Sequence, residues 1–136
     1  MKSLVISSLF MVACTFANAQ DVRNSSGSKL GEIKSNGEVR NSSGSLLGRF
    51  ESNGDVRNSS GSKIGAIDGS SYRNSSGSSL GKIDSDGTVR NSSGSSLGKV
   101  ESNGDIRNSS GSKIGSAQGV RKDWAGGAMF FFFFNK

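Results

Sequence analysis

Val22-Arg23-Asn24-Ser25-Ser26-Gly27-Ser28-Lys29-Leu30-Gly31-Glu32-Ile33 sets an apolar residue on each side of a Ser-Ser-Gly turn, and most of the chain repeats it. The core string Arg-Asn-Ser-Ser-Gly-Ser occurs six times, with Arg at 23, 40, 57, 73, 90 and 107. The steps are 17, 17, 16, 17 and 17 residues, so the six copies enclose five full units. Self-similarity at a fixed short period marks a repeat architecture, and it outranks composition in deciding the fold.

Three apolar positions stay in register through the units. They are Leu30, Leu47, Ile64, Leu80 and Leu97; then Ile33, Phe50, Ile67, Ile83 and Val100; then Val39, Val56, Tyr72, Val89 and Ile106. Most are β-branched or aromatic, none follows a helical period, and turn residues separate them every eight or nine positions. That pattern predicts β-hairpins. A three-residue Ser52-Asn53-Gly54 loop pairs Phe50 with Val56, and a Ser25-Ser26-Gly27 loop pairs Val22 with Leu30. The 16-residue step obeys the same parity, because a two-residue Gly69-Ser70 loop restores the pairing of Ile67 with Tyr72. Glycine first is the preference of the type II′ turn. Leu30 and Ile33 are three apart, which in a straight strand puts them on opposite faces. A bulge at the intervening Gly31, repeated at Gly48, Gly65, Gly81 and Gly98, turns both inward and curves each strand.

The expectation is an all-β fold: five tandem hairpin repeats of about 17 residues in a radial or closed meander, with a stacked β-solenoid as the alternative. The Val-Arg-Asn-Ser-Ser-Gly-Ser-x-Leu-Gly-x-Ile units, the leader and the Trp- and Phe-rich end resemble the bacterial secreted 5-fold β-flower proteins. The resemblance covers nearly the whole chain after the leader. It implies a fold and transfers no site residue.

The domains read as 1–19, a secretory signal peptide; 20–121, the hairpin repeats; and 122–136, an aromatic C-terminal strand on or inside them. Lys2, an apolar stretch from Leu4 to Ala17, and Ala17-Asn18-Ala19 make the signal, with cleavage after Ala19. A lipoprotein site at Cys14 is the lesser alternative. The leader's apolar run is too short and wrongly flanked for a good transmembrane helix, and the ten apolar or Gly residues of the C-terminal tail are too few for one, so the mature chain is expected to have no transmembrane span. Export to the periplasm, cell surface or medium follows. After Arg121 the sequence Lys122-Asp123-Trp124-Ala125-Gly126-Gly127-Ala128-Met129 leads into five Phe, Phe130 to Phe134. A free tail of that kind is an aggregation hazard, so it is expected to be a buried strand filling the middle of the repeats.

Chemistry is bounded by what is missing. The 136 residues contain no His and no Pro, and the one Cys lies in the leader. Ser-His-Asp and Cys-His catalysis and His or Cys zinc sites are excluded from the mature chain. Its carboxylates vary between units and do not converge. The expectation is a non-enzymatic secreted scaffold with no catalytic residue, metal or cofactor. Its candidate ligand-binding residues are Arg23, Arg40, Arg57, Arg73, Arg90 and Arg107, which alternation points away from the core beside Asn and Ser. Arg grips carboxylates and phosphates through paired hydrogen bonds, so the expected partner is an anionic glycan or lipid headgroup. Self-association into a fibril or matrix is the alternative. Nucleic acid is not expected: the chain is expected to be exported, and apart from Tyr72 in one unit no aromatic residue interleaves with the Arg positions.

Overall fold

The computed structural model describes residues 20–135; the expected signal peptide, its expected cleavage site and Cys14 lie outside them. Twelve strands follow one another in antiparallel order: β1 Asp21–Asn24, β2 Lys29–Ile33, β3 Glu38–Asn41, β4 Leu46–Phe50, β5 Asp55–Asn58 and β6 Lys63–Asp68, then β7 Ser71–Asn74, β8 Ser79–Ile83, β9 Thr88–Asn91, β10 Ser96–Val100, β11 Asp105–Asn108 and β12 Lys113–Ala117. Each pairs with its neighbours in sequence, and β1 pairs with β12, so the meander closes into a barrel. Closure leaves no strand edge to attract another chain. The five full units become five sectors. The degenerate stretch after Arg107 supplies β12, and β12 with β1 forms a sixth.

The hairpin registers follow the turn chemistry. Phe50 faces Val56 across the Ser52-Asn53-Gly54 loop, and Ile67 faces Tyr72 across the shorter Gly69-Ser70 loop. Gly69 has φ of +65°, the left-handed conformation that the first position of such a loop needs. At the other turns one pairing differs from expectation. Val22 faces Gly31, not Leu30, because the register slips between Val22 and Arg23 and leaves Leu30 as the extra residue of a bulge. Leu47, Ile64, Leu80, Leu97 and Ile114 occupy the same place in their sectors. The bulge lets both apolar residues reach the core: Ile33 is buried, and Leu30 packs on the core from a half-buried position. Sectors are also tied through their Asn-Gly loops. The amide of Phe50 donates to the carbonyl of Gly37 at 2.8 Å, and Ile67, Val100 and Ala117 donate likewise to Gly54, Gly87 and Gly104. In the short unit Ser70 takes the role of the loop glycine, accepting from Ile83 at 2.8 Å.

The tail is not a strand. It forms an α-helix, α1, over Lys122–Gly127 and then a π-helical turn over Ala128–Phe132. The reason is the closed barrel. Every strand is already paired on both sides, so a strand in the interior would find no partner for its backbone, whereas a helix satisfies its own. The expected burial holds: Ala125, Ala128 and Met129 belong to the core, and Phe130 to Phe134 pack against it.

Along the axis the plug runs from the Asn-Gly mouth of the barrel to the Ser-Ser-Gly mouth. Trp124 stacks on Phe50 with centroids 5.4 Å apart, close to the Asn-Gly loops. The Phe run lies beyond it, against a ring of inward glycines on the Ser-Ser-Gly side of each strand: Gly31 pairs with Asn41, whereas Ile33 pairs with Val39.

Six glycines meet six consecutive tail residues. A Cβ on Gly115 would lie 3.2 Å from the tip of Met129, and one on Gly98 2.7 Å from Phe130. The series continues with Gly81 and Phe131 at 2.9 Å, Gly65 and Phe132 at 2.6 Å, Gly48 and Phe133 at 2.7 Å, and Gly31 and Phe134 at 3.0 Å. The tail therefore winds round the barrel in reverse order, one residue per sector. An α-helix advances about 100° per residue, which overshoots sectors set about 60° apart. Widening relieves the mismatch: the amides of Phe133 and Phe134 both donate to the carbonyl of Ala128, at 3.2 and 2.7 Å.

Candidate functional site

The six repeat Arg side chains lie on the outer wall, half-exposed, as alternation requires. Each spans two tasks. Its Nη1 donates to the carbonyl of the glycine in its own Ser-Ser-Gly turn: Arg23 to Gly27 at 2.8 Å, Arg40 to Gly44 and Arg73 to Gly77 at 2.9 Å, and Arg57, Arg90 and Arg107 to Gly61, Gly94 and Gly111 at 3.0 Å. Its other nitrogens face carboxylates at the strand start or the Asn-Gly loop. Arg23 meets Asp21 at 2.9 Å, Arg40 meets Glu38 at 3.2 Å, Arg57 meets Glu51 at 3.0 Å and Arg90 meets Asp84 at 2.8 Å. Arg107 reaches Glu101 at 3.3 Å and Arg73 reaches Asp68 only at 3.9 Å.

The Asn beside each Arg is a turn builder. Asn24 Oδ1 accepts from the amide and hydroxyl of Ser26 and the amide of Ser28, each at 3.0 Å. The other five Asn repeat this. An Asn side chain that folds the backbone over itself is the physical basis of such turns. The Arg-Asn-Ser-Ser-Gly-Ser string is thus one cassette, in which Asn shapes the turn and Arg ties the turn to the wall.

Charge is sorted along the axis. The six segments 23–29, 40–46, 57–63, 73–79, 90–96 and 107–113 carry the six Arg with Lys29, Lys63 and Lys113, and none of the eleven carboxylates. The acids sit mid-strand or toward the other end; Asp86, for example, lies in an Asn-Gly-type loop, where hydrogen bonds from the Thr88 amide and hydroxyl hold its carboxyl below the usual range. The Ser-Ser-Gly turn segments are cationic and hydroxyl-rich, and the opposite mouth is mixed; Lys29, Lys63 and Lys113, like the Arg, pair back to strand carboxylates, with Asp21 at 3.5 Å, Asp55 at 3.4 Å and Asp105 at 3.3 Å.

A second feature went unread in the sequence. Next to the short Gly69-Ser70 loop, Phe50, Glu51, Asp68, Arg121 and Trp124 line an open cleft of about 290 Å³. The Arg121 guanidinium lies 4.6 Å over the Trp124 ring and pairs with Asp123 at 2.7 Å. Trp124 stacks on Phe50 and also lies under the Arg121 guanidinium, so both neighbours engage its ring. Tyr72, fully buried, donates its hydroxyl to the Asp123 carbonyl at 2.8 Å. Among the described residues no group of three or more acidic, His or Cys side chains could hold a metal ion, and no helix is long and apolar enough to cross a membrane.

A family model described as 5-fold beta-flower protein matches residues 19–135. The chain belongs to the 5-fold β-flower family. No curated protein and no solved structure matches it. This β-flower chain is a repeat protein whose barrel counts six sectors, five from full units and one from the two ends of the chain.

The missed signal was numerical. The inward glycines 31, 48, 65, 81, 98 and 115 are six, and the apolar run Met129 to Phe134 is also six residues long. Equal counts were available, but their one-to-one match depends on a helical tail, which a strand assignment hides.

Proposed function

We propose that this β-flower chain is an exported, non-enzymatic scaffold that holds six copies of one surface cassette in a rigid ring and meets anionic groups with it, on a glycan or on lipid headgroups. The observation that carries this reading is the segregation of nine cations and no carboxylate into the six turn segments. Six equivalent weak contacts on one rigid body add through effective concentration, so a multivalent polyanion is held where a single anion is not. The Arg residues keep the turns folded and also supply the positive rim; their ion pairs are half-exposed and individually weak, so an incoming sulfate or phosphate can compete for them. The family is not known for catalysis, and the mature sequence has no His or Cys to support it.

The test is a titration of the processed chain with dextran sulfate, followed by NMR at the Arg Nε–Hε groups and the turn amides. Saturable, salt-sensitive shifts centred on Arg23, Arg40, Arg57, Arg73, Arg90 and Arg107 are expected, and none with uncharged dextran. Unmoved Arg signals, or equal shifts with both polymers, would reject the reading.

A further inference from the structure

At the Ser-Ser-Gly mouth the plug does not finish inside the wall. Phe130 to Phe134 are each only partly buried, and Asn135 after them is exposed. Around them stand the bulge residues Leu30, Leu47, Ile64, Leu80, Leu97 and Ile114, also partly buried. Five aromatic rings within six aliphatic side chains make an apolar disc that no other described element covers. Contiguous apolar surface rimmed by polar residues marks an interaction site more often than scattered apolar residues do. The rim here is the ring of turns with its Ser hydroxyls, whose segments bring nine cations and no carboxylate of their own; the acids that pair with those cations lie on the strands behind, toward the other mouth.

We infer that this mouth docks the protein end-on to an anionic lipid bilayer, with the barrel axis across the surface plane, the Phe and Leu disc entering the headgroup–acyl boundary and the turn ring facing the phosphates. The inference rests on the anion-binding reading above and names its partner. Charge complementarity selects the occupant. A soluble polyanion would use the rim and leave the disc wet, and a second copy placed mouth to mouth would oppose two cationic rings. An anionic bilayer answers both features, since apolar burial and attraction to acidic lipids add. The geometry also leaves the surface clear: Gln20, bonded to the carbonyl of Gly119 at 2.9 Å, places the start of the described chain at the other mouth.

The test is flotation of the processed chain with phosphatidylcholine vesicles, with and without phosphatidylglycerol, beside dextran sulfate binding. Binding to the acidic vesicles is expected to be at least about tenfold tighter than to neutral ones. The paired change Leu80→Ser and Leu97→Ser should lower vesicle binding by a similar factor and leave dextran sulfate binding unchanged. Orientation is read from the single Trp. Trp124 sits at the far mouth, so lipids brominated in the acyl chains should not quench it in the bound protein, whereas Leu80→Trp should add a quenched component. No flotation alongside intact dextran sulfate binding would overturn the inference and spare the scaffold reading; loss of dextran sulfate binding would remove the reading itself. Quenching of Trp124 in bound native protein, or a face-to-face dimer that persists with vesicles present, would also overturn it.

Discussion

The Tyr72 hydroxyl donates to the carbonyl oxygen of Asp123 at 2.8 Å, which joins the one short unit of the barrel to the first turn of the plug. In a barrel of near-sixfold repetition a symmetric plug could seat in six rotations. The side chains that depart from the repeat remove that freedom. Tyr72 replaces Val or Ile, Phe50 replaces Ile or Val, and the loop between Ile67 and Tyr72 is one residue shorter. All three lie on the side where Trp124 and Asp123 enter, so the irregular residues set which way the plug faces.

Tyr72→Phe therefore removes the hydroxyl that, among the described residues, ties the barrel wall to the plug. It is expected to cost about 1–2 kcal/mol, the loss of a buried hydrogen bond with its acceptor left in place. Thermal melting measures it. Tyr72 is also the single Tyr, and burial, then the nearby Asp123 charge, pushes its ionisation far above the ordinary range. A raised value means that the fold favours the neutral phenol: the contribution is complete below the unfolded-state value of about 10 and declines as pH rises beyond it. Phenolate absorbance should therefore appear together with loss of the near-ultraviolet circular dichroism signal. A reversible phenolate titration near the ordinary value in the intact fold would contradict this.

Gly98→Ala tests the socket. The new methyl would come within 2.7 Å of Phe130 and closer still to the Arg107 carbonyl. Gly98 does not have a left-handed backbone, so the cost is one of space. About 1–3 kcal/mol of destabilisation is expected, as for other overpacked cores. Phe130→Leu should recover part of it in a double-mutant cycle. Strictly additive effects would show that the two positions do not meet.

Deleting Met129 to Phe134 leaves the inward glycines facing an empty bore. Six large apolar side chains contribute on the order of 10 kcal/mol, comparable with the whole stability of a typical domain at about 5–15 kcal/mol. The truncated chain is expected to lose its cooperative melt. A native melt and circular dichroism spectrum after truncation would show that the barrel stands without its plug.

Asp86 stands where other units carry Asn36, Asn53 and Asn103, and it accepts the same backbone bond, here from Thr88 at 3.0 Å. Its carboxyl is held low by the Thr88 hydrogen bonds. Its contribution is present above the unfolded value of about 3.9 and fades as pH falls through the folded one. Asp86→Asn should melt like the parent at neutral pH and lose less stability in acid. Carboxyl NMR that finds Asp86 titrating at or above the free-peptide value would refute the assignment.

The repeats were legible because turn chemistry and apolar parity constrain each other locally: Gly69-Ser70 restores the pairing of Ile67 with Tyr72 without any knowledge of the rest. The bulge was legible at Gly31, but its extra residue, Leu30, was not, since spacing alone cannot say which side of a slip carries the surplus. The tail was legible as buried and illegible as helix. Five Phe and a Met suit a strand by propensity, and the decisive fact, that the closed wall offers no backbone partner, is global. The Arg positions were placed outward, as found. Their use in capping Gly27 and its equivalents depends on side-chain reach across a turn, which periodicity does not carry.

The reverse-order match between Met129 to Phe134 and the six inward glycines makes the tail a gauge of length. Near-identical tandem units invite duplication or loss of a copy, and a hairpin meander by itself would accept either by closing wider or narrower. The plug does not. One unit more would open a sector with nothing to fill it, and one unit fewer would leave a ring without a place on the wall. Copy number and tail length can change together but not separately, so the last residues of the chain hold the number of repeats at its present value.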